Sequence, residues 1–146
     1  LIQALKYAHR LAGAAFLGRE LSQLPVSFRP DLVLPVPLAP ARLAERGFNQ
    51  AIELARPLAK LLGVPLETSR VHRRRDTVPQ ASLPWKERKQ NIRHAFECEL
   101  DLTGKQVLVV DDVMTTGATL DELARTLKAH GASRVENRVL ARALKA

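Results

Sequence analysis

The sequence has little of three things: cysteine, aromatic side chains and long apolar runs. Its 146 residues include one cysteine, Cys98, and only 4% are aromatic. A single cysteine excludes a disulfide within the chain and a zinc site built from several of its own cysteines. It also favours a reducing compartment, so we expect a cytoplasmic protein. No apolar stretch reaches the length of a bilayer span, and Lys6 and Arg10 interrupt the N-terminal apolar region, so neither membrane insertion nor a signal peptide is expected.

Positive charge is in excess, with a formal net charge of +8. Most of the excess falls between Arg70 and Arg93, where eight basic residues stand against two acidic ones. Such clustering favours an anionic partner, which includes phosphates, pyrophosphate and nucleic acid. From about His72 to Trp85 no hydrophobic periodicity is present, and this pattern predicts a mobile basic loop.

The most informative stretch runs from Val107 to Leu120. Four consecutive apolar residues predict a strand buried on both faces, as in a parallel sheet covered by helices. Asp111 and Asp112 follow directly, at the carboxyl end where such sheets bind ligands. These acids are suited to sugar hydroxyls or to a hydrated magnesium ion.

A threonine-rich turn with one glycine comes next and leads into a helical pattern. Its residues offer hydroxyl and backbone N–H groups beside a helix N-terminus, which favours phosphate: Thr115, Thr116, Gly117, Ala118 and Thr119. Thr119 and Glu122 fit a capping box that would begin the helix. The stretch therefore predicts a ligand with a phosphate at one end and a vicinal diol at the other.

The remaining pattern predicts a single α/β domain over residues 1–146, with an open, mostly parallel sheet and helices on both faces. We expect helices at 2–21, 49–62 and 120–130, and strands at 32–34, 66–71, 107–110 and 134–140. Asn49 suits an N-cap, and Pro57 predicts a kink or a division into two short helices.

The run VLVVDDVMTTGATL resembles the phosphoribosyl pyrophosphate motif of type I phosphoribosyltransferases. The resemblance implies that Asp111 and Asp112 hold the ribose 2′ and 3′ hydroxyls, and that the turn from Thr115 to Thr119 holds the 5′-phosphate. It also implies a small hood, built from the chain ends, that selects the acceptor.

In that family a loop after an early strand holds the pyrophosphate. Here the corresponding residues are Val36, Pro37 and Leu38, with Arg46 supplying charge. Val36 and Leu38 have N–H groups to donate, whereas proline has none.

Further segments narrow the resemblance to the ComF/GntX branch of phosphoribosyltransferase-like proteins. They are PVP at 35–37, RGFNQ at 46–50, the spacing from Thr77 and Gln80 through Arg88 and Asn91 to Phe96, and LAR at 140–142. Members usually carry an N-terminal four-cysteine zinc ribbon, so this ribbon was either lost or precedes Leu1.

The resemblance implies a magnesium-dependent phosphoribosyltransferase linked to DNA uptake. Asp111 and Asp112 would be its catalytic residues and would meet Mg²⁺ indirectly, through ribose and water. A flexible loop would close over the site, with these residues: Arg73, Arg74, Arg75, Gln80 and Arg88. Two alternatives stay open, a single-stranded-DNA-binding competence factor and a phosphoribosyl pyrophosphate sensor without turnover. The acceptor, the oligomeric state and the general base, with His72 and His94 as candidates by proximity only, stay open as well.

Overall fold

The structure, a computed structural model, describes residues 27–74, 84, 87, 92–114 and 117–142. Its elements, in chain order, are β1 (Leu32–Pro35), α1 (Pro40–Arg46), α2 (Gln50–Leu62), β2 (Val71–Arg73), β3 (Phe96–Cys98), β4 (Gln106–Met114), α3 (Ala118–Ala129) and β5 (Arg134–Arg142). The expected helix at 2–21 lies outside these residues, as do the chain ends that were expected to form a hood.

A three-stranded parallel sheet in the order β1-β4-β5 forms the centre of the fold. Val33 of β1 is paired with Leu108 of β4, and Val109 of β4 with Asn137 of β5. β2 and β3 form a separate antiparallel pair. The predicted open, mostly parallel α/β sheet is confirmed.

Helices cover the two faces of this sheet. On one face, Leu54 and Leu58 of α2 join a buried cluster with Leu108 and Val110. On the other, Leu123 of α3 belongs to a second cluster with Val107, Val109, Phe96 and Leu102 among its members. All four residues from Val107 to Val110 are fully buried, so the prediction of a strand covered on both faces is confirmed.

Helix α2 runs without interruption through Pro57, so of the two alternatives, a kink or two short helices, the second is wrong. Proline removes one helical hydrogen bond, but Leu54 and Leu58, on either side of it, are both fully buried against the sheet. Tertiary packing therefore keeps the two halves in one helix. The predicted N-cap is confirmed, because the side chain of Asn49 accepts a hydrogen bond from the Ala51 N–H group.

Other elements also differ from expectation. The strand expected at 66–71 is instead Val71–Arg73, and Leu66 makes only an isolated parallel bridge with Val33. Strand β4 continues to Met114 because β5 pairs with it as far as Arg142, so both acids lie within the strand. Helix α1 was not predicted, since none of its residues is buried and it has no apolar face to recognise. In the ranges that the structure describes, no helix is long and apolar enough to cross a bilayer.

Candidate functional site

The two acids lie in the second half of the central strand. Asp111 is paired with Val139 of β5, and both carboxylates are only partly accessible. One oxygen of Asp111, Oδ1, accepts a hydrogen bond of 2.8 Å from the Asp112 N–H group. The buried stretch before the acids fixes their backbone at the edge of the core.

The electrostatics of this pair are unfavourable in the absence of a ligand. Burial, and then the neighbouring charge of Asp112, raise the pKa of Asp111 from 3.8 to about 8, while the positive charge of Arg73 acts in the opposite direction. A carboxyl group with such a pKa exchanges its proton near neutral pH. Raised pKa values of this kind are typical of functional sites, because a fold gains no stability from them.

The turn after β4 ends at Gly117, which is the N-cap of α3. Its φ of +82° lies in the left-handed region that glycine adopts at little cost. The first hydrogen bond within the helix runs from the Asp121 N–H group to the Gly117 carbonyl. The N–H group of Thr119 comes before this first bond and, like the other N–H groups of the first turn, is oriented toward the N-terminal end of the helix. Gly117, Ala118 and Thr119 therefore lie at the N-terminal end of α3, and Thr115 and Thr116 lie outside the described residues.

The predicted capping box is wrong. Gly117, and not Thr119, is the N-cap, and no side chain caps α3. Glu122 is instead buried beside Arg125, with 2.6 Å between Glu122 Oε1 and an Arg125 guanidinium nitrogen, and it accepts a hydrogen bond from the His94 N–H group. Arg125 and the His94 N–H group therefore bind the carboxylate that the capping box would have used. The capping-box spacing of Thr119 and Glu122 reveals neither contact.

The loop after β1 is attached to the central strand. The Val36 N–H group donates to the Val110 carbonyl at 2.9 Å, so the prediction that it donates to pyrophosphate is wrong. In the part of the chain that the structure describes, no acceptor is in hydrogen-bonding reach of the Leu38 N–H group. Leu38 and Pro37 line a cleft of about 220 Å³ together with Asn49 and Arg73, and Arg46 ends helix α1 just beyond the loop.

Arg73 and Arg74, at the start of the basic segment from Arg70 to Arg93, contact residues of β3. Arg73 lies in β2, and not in a loop as expected, with its guanidinium 5.8 Å from the centre of the Phe96 ring. Arg74 Nε lies 3.8 Å from Glu97 Oε2, and its backbone N–H group donates to the Ala95 carbonyl. The alternation of Glu97 and Glu99 around a buried Cys98 was the available signal. Arg75, Gln80 and Arg88 lie outside the described residues.

The contacts of the two histidines considered as a general base do not direct either of them to Asp111 or Asp112. His72 Nε2 lies 3.2 Å from Glu99 Oε2, and His94 Nδ1 lies 3.4 Å from an Arg125 guanidinium nitrogen. Among the described residues no group of three or more His, Cys, Asp or Glu side chains is arranged to hold a metal ion.

A parallel α/β sheet with paired acids in its central strand and a glycine turn opening a helix defines a type I phosphoribosyltransferase fold. The chain belongs to the phosphoribosyl transferase domain family, whose model matches residues 49–145, and within it to the ComF family. The matched range contains both acids and the turn, whereas the loop at 36–38 precedes it.

Known proteins are similar to this chain over most of its length. The chain is 38% identical to the DNA utilization protein YhgH of Salmonella typhi over 99% of this chain and 66% of that protein. It is 37% identical to competence protein F of Haemophilus influenzae over 78% of this chain and 51% of the relative. The chain thus spans about two thirds or less of the length of these relatives.

Among solved structures, the glutamine phosphoribosylpyrophosphate amidotransferase of B. subtilis superposes with a TM-score of 0.61. The superposition covers 89% of this chain and 26% of that one, at 23% identity. At this identity the likeness shows the fold alone.

The raised pKa of Asp111 predicts how stability depends on pH. The folded chain binds this proton more tightly than the unfolded chain, so stability is greatest below the unfolded pKa and falls as pH rises from about 4 to about 8. Replacing Asp111 by Asn removes the ionisable group. We expect Asp111→Asn to raise the thermal unfolding midpoint at pH 8 by about 4 °C or more, and by much less at pH 5, in magnesium-free buffer.

Asp101→Asn is the matched control. The hydrogen bonds from Thr103 lower the pKa of Asp101, so its contribution to stability has the opposite sign and this variant should be less stable than the parent at neutral pH. An Asp111→Asn midpoint that is unchanged or lower at pH 8 would contradict the electrostatic description of the site.

Proposed function

We propose that this chain binds phosphoribosyl pyrophosphate with Mg²⁺ and that it is a phosphoribosyltransferase. The observation that carries the proposal is the common position of three parts at one edge of the sheet. Asp111 and Asp112 end the buried stretch of β4, Gly117 opens α3 immediately after it, and Val36 is bonded to the residue that precedes the acids. Together they match a ligand with a diol, a phosphate and a pyrophosphate.

The donor set fits magnesium that arrives with the ligand rather than a resident ion. Asp111 and Asp112 provide hard oxygen ligands, but the described residues do not supply a third acid nearby. Magnesium commonly retains several waters and binds to one or two carboxylates plus substrate phosphates. When bound, the ion would offset the negative charge of the leaving pyrophosphate.

The protein's own contribution to transfer is mainly positioning. The two carboxylates would accept hydrogen bonds from the ribose hydroxyls and fix the sugar ring, while the start of α3 holds the 5′-phosphate. The Leu38 N–H group would donate to the pyrophosphate, whose charge grows as the bond at C1 breaks. The positive charge of Arg73, which lowers the pKa of Asp111, would add to this stabilisation. A sensor would use the same contacts, but it would not release pyrophosphate.

The direct experiment is calorimetry with phosphoribosyl pyrophosphate and Mg²⁺. We expect the parent chain to bind and the double variant Asp111→Asn/Asp112→Asn to lose at least about a hundredfold in affinity, because each acid loses hydrogen bonds to the ribose hydroxyls. Asp101→Asn, at a turn before β4, is the control with the same chemical change.

Unchanged affinity in the double variant would exclude the acids from the site. A pyrophosphate-release screen of nitrogen acceptors with Mg²⁺ then separates a transferase from a sensor, since only a transferase releases pyrophosphate in an acceptor-dependent manner.

Binding of single-stranded DNA is a second candidate function. The names of the relatives refer to DNA utilization and competence, and the segment from Arg70 to Arg93 holds most of the excess positive charge. Phosphate backbones bind clustered arginine and lysine. The ion pair between Arg74 and Glu97 reduces the charge available, so any such surface depends mainly on the other basic residues.

Replacing Arg73, Arg74 and Arg75 by Ala tests this candidate through the salt dependence of binding. If DNA binds here, the slope of log affinity against log salt should decrease in magnitude by up to about 2 units, because fewer phosphate contacts release fewer counterions. Replacing Arg56, Lys60 and Lys128 by Ala removes the same charge from the exposed surfaces of α2 and α3 and should leave the slope unchanged. Equal effects of the two triple variants, or no DNA binding by the parent, would contradict this candidate.

A further inference from the structure

The backbone of Val36 is held from two sides. Its N–H group donates to the carbonyl of Val110 at 2.9 Å, and its carbonyl accepts a hydrogen bond of 3.0 Å from Asn49 Nδ2. Val110 immediately precedes Asp111, and Asn49 is the N-cap of α2. The first residue of the loop at 36–38 is therefore fixed both to the strand of the acids and to the start of a helix.

Asn49 makes two contacts that only an amide side chain can make together. Its Oδ1 accepts from the Ala51 N–H group at 2.9 Å, which caps α2, while its Nδ2 donates to Val36. Serine, threonine and aspartate cap helices about as well, but aspartate has no donor and the hydroxyl side chains are shorter. The side chain is only 8% exposed, so each of its polar atoms needs a partner.

We propose that Asn49 is a positioning residue for pyrophosphate, acting through the loop at 36–38. This inference rests on the proposed function. With Val36 fixed and the φ angle of Pro37 restricted by its ring, only ψ of Pro37 is left to set the direction of the Leu38 N–H group. Leu38 and Asn49 line the same cleft, so the donor is held at the wall of a space that a ligand can enter. Loss of the contact from Asn49 Nδ2 leaves the cap intact and leaves Val36 held only by its bond to Val110.

Asn49→Ser separates the two contacts. Its hydroxyl still caps Ala51, but it is too short to reach Val36, and the side chain stays neutral. We expect calorimetry to show that inorganic pyrophosphate with Mg²⁺ binds about tenfold more weakly than to the parent chain, because one charge-assisted hydrogen bond is lost or misdirected. Ribose 5-phosphate, which contacts the acids and the α3 turn, should bind within about twofold of the parent.

Thr126→Ala is the matched control for lost stability. It removes another buried hydrogen bond, from Thr126 Oγ1 to the Glu122 carbonyl in α3, and should lower the unfolding midpoint without separating the two ligands. Should Asn49→Ser fail to fold, Asn49→Asp, which keeps both the cap and the shape, is measured at several salt concentrations. Its pyrophosphate deficit should persist at high salt, where repulsion by the added charge is screened.

The outcomes distinguish the inference from the function on which it rests. If the parent binds neither probe, the proposed function fails and this inference fails with it. If the parent binds both and Asn49→Ser retains pyrophosphate affinity, or weakens both ligands equally, Asn49 is only a helix cap and the positioning role is overturned.

Discussion

Burial of β4 on both of its faces is the constraint on which the rest of the structure depends. Val107, Leu108, Val109 and Val110 have no exposed surface, since α2 covers one face of the sheet and α3 the other. Burial of such side chains contributes about 1.5–3 kcal/mol each, so the position of this strand is strongly determined. Whatever follows Val110 in the chain is therefore held at a fixed point on the edge of the core.

Two acids occupy that point, and their arrangement is electrostatically costly. A carboxyl group with a pKa of about 8 is one that the fold desolvates and places beside a like charge. In the proposed complex, hydroxyl donors and a divalent cation would offset both costs. Glu122 differs in this respect. Burial would raise its pKa, but the hydrogen bonds from the Arg125 guanidinium outweigh burial and lower the pKa. The Glu122 carboxylate is thus satisfied within the chain, whereas the surroundings of Asp111 oppose its ionisation.

Sequence reasoning succeeded where one strong local signal determined the structure. The unbroken apolar run predicted β4, and the alternation of strand and helix patterns predicted a parallel α/β sheet. The motif around the acids identified the family from the sequence alone. The cap at Asn49 was likewise readable, because a helix start is encoded within a few residues.

The errors fall where a distant contact overrides a local pattern. Thr119 and Glu122 have the spacing of a capping box, yet Glu122 is bound by Arg125 and the backbone of His94. Arg73 was assigned to a loop because its neighbours are polar, but pairing with Phe96 places it in a strand. The second contact of Asn49 spans thirteen residues and depends on the path of the loop, so no local spacing could reveal it.

The central claim is that β4, the α3 turn and the loop after β1 form one site for phosphoribosyl pyrophosphate. Backbone amide chemical shifts followed by nuclear magnetic resonance during titration with this ligand and Mg²⁺ test that claim most directly. The account predicts that the largest changes cluster at Asp111, Asp112, residues 117–120 and Leu38, and that the turn near Asp101 stays unchanged. Changes confined to the His72 and Glu99 surface, or none at saturating ligand, would contradict it.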